Sequence, residues 1–458
     1  MNTIITLSAL GMITMILGVF NRKNLLIPIV LVGLLTAILF TASEWNSNVH
    51  YFNNMLVIDR FSSAFGILMI FGTFLIFLIA RHYFRRFEKP MEDIYSILIF
   101  SLVGAIIITM IGNLTMLFVG IEIMSVSLYI LAGSKKTSPS SNEAAMKYFL
   151  MGVFSTGILL FGIALIYGTT GTFDLAEIGM WVKLNQENIP LIFKTGILLI
   201  LVALAFKVGA VPFHFWIPDV YHGAPTLITA YMATVVKIAS LAAFYRLFSM
   251  SFLPLQYFWG PIIWVFAFLS ILFGNLAALH QDHVKRMLAY SSIAHTGYIL
   301  IGFVVFNNFT TGALFYYSTS YLLATIGAFA VLMLVREDIK KGTFEAFNGL
   351  IKENKFLSIS MMVFLLSLTG IPPLAGFMAK FNIFTTAIEN RFIWLTVAGI
   401  IGSAISVFYY FKMIISMLMK EGSGIKVNLS ARTRVLLVLI LLLIILAGLM
   451  PGLFLEIV

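Results

Sequence analysis

The chain has 458 residues, 60% hydrophobic and 10% charged, far below the roughly 25% charge of an average soluble domain. It has no cysteine, which excludes disulfides, iron–sulfur ligation and thiol chemistry on this chain. The net charge of +10 does not point to nucleic acid, because in so apolar a chain Lys and Arg collect in cytoplasmic loops.

Apolar runs near 20 residues, the length an ~30 Å hydrocarbon core requires, recur along the whole sequence. They predict an all-α membrane protein of about 14 spans. In chain order these run 3–20, 24–42, 62–81, 93–111, 114–132, 145–168, 189–218, 226–248, 257–279, 287–306, 310–335, 355–389, 392–418 and 433–456. No basic segment or small-residue cleavage site marks the first as a signal peptide, so it is expected to be retained. The seventh and twelfth are overlong and interrupted. Residues 169–188 hold an amphipathic stretch in an outer loop, and 336–355 mix both signs in an inner one. Both read as solvated faces.

Loop charges support the count. Arg22, Lys23, Arg81, Arg85, Arg86, Lys89, Lys135, Lys136, Lys285, Arg286, Arg336, Lys340, Lys341, Lys352, Lys355, Lys420, Lys426, Arg432 and Arg434 all fall in odd-numbered loops. Even-numbered loops hold Arg60, Lys183 and Arg391. The positive-inside rule then puts both termini outside the cytoplasm.

The interruptions are specific. In the seventh span Lys207 is followed by Gly209 and Pro212; in the twelfth, Gly370, Pro372, Pro373 and Gly376 precede Lys380. Such breaks free backbone carbonyls that lipid cannot satisfy, so they must face protein or a wet cavity. A packing kink is the plain alternative, but a lysine beside each break weighs against it. The breaks lie five spans apart, an odd number, so they predict two inverted five-helix repeats, spans 4–8 and 9–13. Paired broken helices at matching positions of inverted repeats point to an ion site. The division is 1–92 as an N-terminal three-helix segment, 93–248 and 257–418 as the two five-helix units, and 419–458 as a C-terminal helix.

Glu122, Lys207, Lys237 and Lys380 sit near span centres, where each costs ~2.5–3.5 kcal/mol or more. One carboxylate cannot neutralise three lysines, so a purely structural salt bridge explains them poorly. Lysine, unlike arginine, can be neutral when buried. If Glu122 approaches Lys207 the ammonium is held; if it withdraws, a proton is expected to pass toward Lys237 and on to Lys380. His295, within the tenth span, can relay through its two ring nitrogens, although a satisfied core histidine is an equal alternative. His214 and His222 read as loop packing or an uptake route. Lys147, Lys194, Arg246 and Lys412 lie nearer span ends and are expected to snorkel. No Walker loop, dinucleotide fingerprint or metal constellation is present, so any energy-yielding chemistry belongs to other chains.

The segments "FVGIEIMSVSLYILAG" (118–133), "SNEAAMKYFLMGVFSTGILLFGIALIYGTTGT" (141–172), "AFKVGAVPFHFWIPDVYHGAPT" (205–226), "MATVVKIA" (232–239), "KRMLAYSSIAHTGY" (285–298) and "GIPPLAGFMAKF" (370–381) resemble the antiporter-like membrane subunits of the proton-pumping NADH–quinone oxidoreductase, complex I. The resemblance covers nearly the whole chain and is nearest to the N type, chiefly through 141–172. It implies 14 helices with discontinuous seventh and twelfth, and a place in the membrane arm beside other antiporter-like and small membrane subunits. It carries the family's proton-path residues onto Glu122, Lys207, Lys237, His295 and Lys380. It implies no cofactor on this chain, with NADH, FMN, iron–sulfur clusters and quinone on partner subunits, and a bacterial inner membrane as the location. Protons and the lipid bilayer are the expected partners of the chain itself, and nucleic acid is not. The rival within transport is a subunit of a multisubunit sodium/proton antiporter; the rival outside it is a passive membrane scaffold.

Overall fold

The computed structural model describes residues 1–20, 23–84, 93–307, 309–336, 342–421 and 429–457. Of the loop cations, Arg22, Arg85, Arg86, Lys89, Lys340, Lys341 and Lys426 lie outside the described residues. Helices α1 (Asn2–Val19) and α2 (Lys23–Ser43) form an antiparallel pair. A small antiparallel hairpin comes after them, β1 (Val49–Tyr51) with β2 (Leu56–Ile58), pairing Val49 with Ile58. This hairpin is a small addition to the expected all-α fold. Its turn is made by Phe52, Asn53 and Asn54, all at positive φ, a region asparagine tolerates better than most residues. Two three-residue strands are too short to leave a periodicity in the sequence. Val57 donates its N–H to the Met110 carbonyl (2.7 Å), so the hairpin ties down the turn between two later helices.

Helices α3 (Arg60–Phe84), α4 (Asp93–Thr109), α5 (Leu114–Ala132) and α6 (Pro139–Thr170) come next. The amphipathic stretch within 169–188 folds as α7 (Leu175–Leu184), started by Asp174, whose side chain accepts the N–H groups of Ala176 and Glu177. Then come α8 (Leu191–Val208), α9 (Trp216–Gly223) and α10 (Thr226–Tyr231). A π-helical turn (Met232–Val236) leads into α11 (Lys237–Leu247). The second half holds α12 (Gln256–Leu279), α13 (Val284–Val305), α14 (Thr310–Arg336), the short α15 (Leu350–Glu353), α16 (Lys355–Thr369), α17 (Ala375–Glu389) and α18 (Ile393–Met419). Helix α19 (Ala431–Leu449) and the single turn α20 (Gly452–Leu455) close the described chain.

Among the described residues, eleven helical stretches are long and apolar enough to cross a membrane, one of them covering 226–279. Two shorter apolar helices, Asp93–Thr109 and Lys355–Thr369, accompany them. The protein is therefore a multi-span membrane protein. Its two five-helix units pack alike: α4 lies on α5 and α11 in the first, and α12 lies on α13 and α18 in the second. Each unit has its fourth helix in two pieces, α8 with α9 and α16 with α17.

Small residues bring the helices together, as expected where lipid tails remove the hydrophobic drive between helices. Gly162 of α6 and Gly196 of α8 face one another, each close to the other's carbonyl oxygen. In the second unit Gly274 of α12 packs on the Ala294 backbone of α13, and Gly297 of α13 packs on Ala267 and Ile271 of α12. Helices α13 and α14 are almost wholly buried, whereas α1, α2 and α19 turn most of their apolar surface outward. The buried centre is where the mid-membrane titratable groups hang.

Candidate functional site

Both breaks use one backbone device. Helix α8 ends at Gly209, in the left-handed region (φ 74°). Gly209 donates its N–H to the Phe206 carbonyl (3.1 Å) and Ala210 donates to Ala205 (2.9 Å). Helix α16 ends at Gly370 (φ 92°) with the same two bonds, Gly370 to Ser367 (3.0 Å) and Ile371 to Leu366 (3.1 Å). This is the Schellman arrangement, which satisfies two of the last carbonyls and leaves others exposed. The residue before each glycine, Val208 or Thr369, therefore presents a carbonyl to the protein interior. Pro212 and Pro373 stand just beyond, in cis X–Pro bonds.

At the first break the Val208 carbonyl accepts from Thr296 Oγ1 (3.0 Å). Lys207 turns the other way and donates to Ser125 Oγ on α5 (2.9 Å), with its ammonium 6.0 Å from the centre of the Tyr129 ring. Glu122 lies one turn before Ser125. Glu122 and Lys207 share no ion pair, and Glu122 Oε1 is buried with no hydrogen-bond partner among the described residues.

Lys237 opens α11, directly after the π-turn, and is 2% exposed. Its three protons go to the Ser292 carbonyl (2.7 Å), Ser292 Oγ (3.0 Å) and Thr296 Oγ1 (3.0 Å). An ammonium has three donors and no acceptor, so this environment fits it fully without a carboxylate. Thr296 thus touches both Lys237 and the backbone oxygen next to Lys207.

His295 is also buried. Its Nδ1 is 2.7 Å from Tyr317 Oη and its Nε2 is 3.5 Å from Tyr410 Oη. The Tyr298 ring stands edge-on to the imidazole, with centres 5.7 Å apart. At the second break Lys380, on α17, donates to the Thr369 carbonyl (2.7 Å) and to Ser403 Oγ (2.9 Å). Ser403 in turn donates to the same carbonyl (3.1 Å). The Lys380 ammonium lies 4.8 Å from the centre of the Tyr298 ring, within the range of a cation–π contact.

Helix α13 is the common spine. Ser292, His295, Thr296 and Tyr298 come from successive turns and between them touch Lys237, the first break and Lys380. The structure therefore gathers Lys237, His295 and Lys380 around α13, whereas Lys207 points to α5, the helix that carries Glu122. Sequence reasoning named the ions but not the hydroxyls that hold them. The run "AYSSIAHTGY" carried the signal, since so many polar groups around one mid-membrane histidine are more than helix packing needs.

Two sequence expectations are corrected. Arg246 does not snorkel. It is 3% exposed and reaches into the protein, pairing with Asp59 (3.0 Å) and donating to the Ile111 and Thr109 carbonyls (2.9 and 3.2 Å). It joins α11 to the turn between α4 and α5, where free carbonyls make burial favourable. Lys285 is no loop charge: it is 2% exposed, in the first turn of α13, and donates to the Ala224 and His222 carbonyls at the end of α9 (2.6 and 3.2 Å).

Beyond the first break, Asp219 of α9 bridges Lys147 (2.7 Å) and Arg286 (2.9 Å). Burial pushes the Asp219 carboxyl up, but hydrogen bonds from Lys147 and Arg286 outweigh it and hold it below the usual carboxylate range. His222 packs edge-on against His283, with ring centres 4.9 Å apart, and His214 is 8% exposed. Lys194 is half-buried beside Phe258, and Lys412 is exposed and pairs with Asp282 (3.3 Å). A groove of about 540 Å³ between α1 and α2, lined by residues such as Ile5, Leu10, Pro28 and Val32, holds none of these groups.

Two inverted units, each with a helix broken beside a buried lysine, define an antiporter-like transport subunit. In agreement, the family model described as NADH:quinone oxidoreductase/Mrp antiporter, TM, matches residues 111–406. The chain is 41% identical over 457 residues to NADH-quinone oxidoreductase subunit N of Flavobacterium psychrophilum, covering 100% of both chains. It is 42% identical to that of Cytophaga hutchinsonii, covering 100% of this chain and 99% of the relative. A chain of respiratory complex I from Thermus thermophilus superposes with a TM-score of 0.85 at 30% identity, covering 99% of this chain and 98% of that one. The chain belongs to the subunit N family of NADH-quinone oxidoreductases.

Proposed function

We propose that this chain is a proton-translocating subunit in the membrane arm of an NADH–quinone oxidoreductase, coupling electron transfer from NADH to quinone on partner subunits to proton pumping. NADH, FMN, iron–sulfur clusters and quinone belong to those partners. Its neighbours are other complex I subunits, including antiporter-like and small membrane ones. It crosses a bacterial inner membrane 14 times, with both termini on the non-cytoplasmic side. The two units correspond to residues 93–248 and 257–418, flanked by the N-terminal segment 1–92 and the C-terminal helix of 419–458.

The protons move through Glu122, Lys207, Lys237, His295 and Lys380. The observation that carries this reading is the pair of bonds made by Thr296, to Lys237 and to the Val208 carbonyl beside Lys207. Lys237 is thereby tied to the backbone of the helix break beside Lys207. Glu122 supplies the movable charge. Near Lys207 it stabilises the ammonium; its withdrawal favours proton release toward Lys237, at about 1.36 kcal/mol per pKa unit. The breaks Gly209–Pro212 and Gly370–Pro373 give the carbonyls and the room for water that such a route needs.

Lys207→Ala tests it. In inverted membrane vesicles containing the assembled complex, NADH-driven acidification is expected to fall to a small fraction of the wild-type rate. Full acidification by an assembled variant would refute the role of Lys207. Exchange of sodium for protons without any NADH-linked activity would instead support the antiporter reading.

A further inference from the structure

One group of polar side chains near Lys380 lies outside the residues assigned to the proton path above. Asn275 of α12 is wholly buried. Its Nδ2 donates to Tyr298 Oη (3.0 Å) and to the Ile271 carbonyl (2.7 Å), and its Oδ1 accepts from Tyr409 Oη (3.0 Å). Both amide protons and the carbonyl oxygen are therefore used. Tyr409 stacks at a tilt on Tyr410, with ring centres 4.4 Å apart, and Tyr410 bonds to Ser291 and faces His295. Tyr298 stands between His295 and Lys380, touching both. Gly402 of α18 seals the group: a Cβ there would lie 2.9 Å from Asn275 Nδ2, 3.1 Å from Tyr298 Oη and 2.4 Å from Ile271 Cγ2.

We propose that Asn275 is a positioning residue for the proton path, clamping Tyr298 between His295 and Lys380 and joining it to Tyr409. This rests on the reading that Lys380 carries protons. The physical ground is the direction of one hydrogen bond. A phenol has one proton to give. Because Asn275 donates into the Tyr298 oxygen, the Tyr298 proton must point away from Asn275. The phenol is held in one orientation with its ring beneath the Lys380 ammonium. A leucine at 275 has the same number of side-chain heavy atoms in the same branched shape but cannot donate, and would free both tyrosines to turn.

The test uses the whole complex in membrane vesicles, reading protons pumped per NADH oxidised, with assembly measured separately. Asn275→Leu is expected to lower pumping about fivefold at normal assembly, the factor carried by roughly one net hydrogen bond. Gly402→Ala should reproduce the defect without removing a polar atom, and Tyr409→Phe should give a smaller fall. Tyr298→Phe combined with Asn275→Leu should be no worse than Tyr298→Phe alone. Lys380→Ala is run beside them. If Lys380→Ala pumps poorly and assembled Asn275→Leu and Gly402→Ala pump normally, this inference fails and the path stands; if Lys380→Ala pumps normally, the path fails. If Asn275→Leu does not assemble while Asn275→Ser assembles and pumps normally, Asn275 serves folding and the proposal is overturned.

Discussion

The two helix breaks have the same backbone and opposite polar partners. Each ends in a left-handed glycine with the same pair of capping bonds, and each leaves the carbonyl of the preceding residue facing inward. At Val208 a neutral hydroxyl, Thr296, takes that carbonyl, and the nearby lysine leans away to Ser125. At Thr369 the lysine itself takes it, with Ser403 doubling the contact. The backbone device is thus separable from the charge. The first break leaves its lysine free to answer to Glu122, while the second holds its lysine on the backbone.

The largest expected difference lies in the glycines. A Cβ on Gly209 would come 1.9 Å from Ile217 Cδ1, whereas one on Gly370 would meet the flexible Lys380 stem at 3.1 Å. Both substitutions incur the left-handed backbone term of ~1–2 kcal/mol, but only Gly209→Ala adds an overpacking term of ~1–3 kcal/mol. Gly209→Ala should lose the assembled complex in membranes, while Gly370→Ala should assemble with a lowered melting temperature. Equal losses would mean that the two breaks are packed alike around their glycines.

A smaller effect separates the hydroxyls. Thr296→Val strands the buried Val208 carbonyl and removes one partner of Lys237, an expected destabilisation of ~1–3 kcal/mol. Ser403→Ala leaves the Thr369 carbonyl with Lys380, so its loss in thermal unfolding should stay under ~1 kcal/mol. If Ser403→Ala proves the costlier, Lys380 does not hold that carbonyl.

The smallest effect is acid. Helix α9, just past the first break, is anchored by Asp219 to Lys147 and Arg286; among the described residues the second break has no such ion pair. The lowered carboxyl of Asp219 stabilises the fold above the ordinary carboxylate range, near pH 4. That contribution disappears as pH falls through its depressed value. Because Asp219 is partly exposed, it is worth ~0.2–1 kcal/mol. The protection factors of α9 amides, which correct for the intrinsic pH dependence of exchange, should fall in acid while those of Ile371, Leu374 and Ala375 should not.

Much of the fold and site was legible in the sequence. Lys207 and Lys380 stood out because lipid penalises charge, and Gly209 and Gly370 because few other residues end a helix that way. Arg246 and Lys285 were misread because distance from a span end cannot reveal a free carbonyl supplied by another helix. Thr296 and Asn275 escaped for a related reason. A hydroxyl or amide in an apolar helix is common, and only tertiary neighbours distinguish one that bonds its own helix from one that bridges two others.

The π-helical turn at Met232–Val236 governs the aim of the helix beyond it. It fits one residue more into a turn than an α-helix does, and one residue corresponds to about 100° around the axis. The face of α11 that meets α13 is therefore set by this extra residue. Deleting a single amino acid there would let the helix run straight through and swing Lys237 a quarter-turn or more from Ser292.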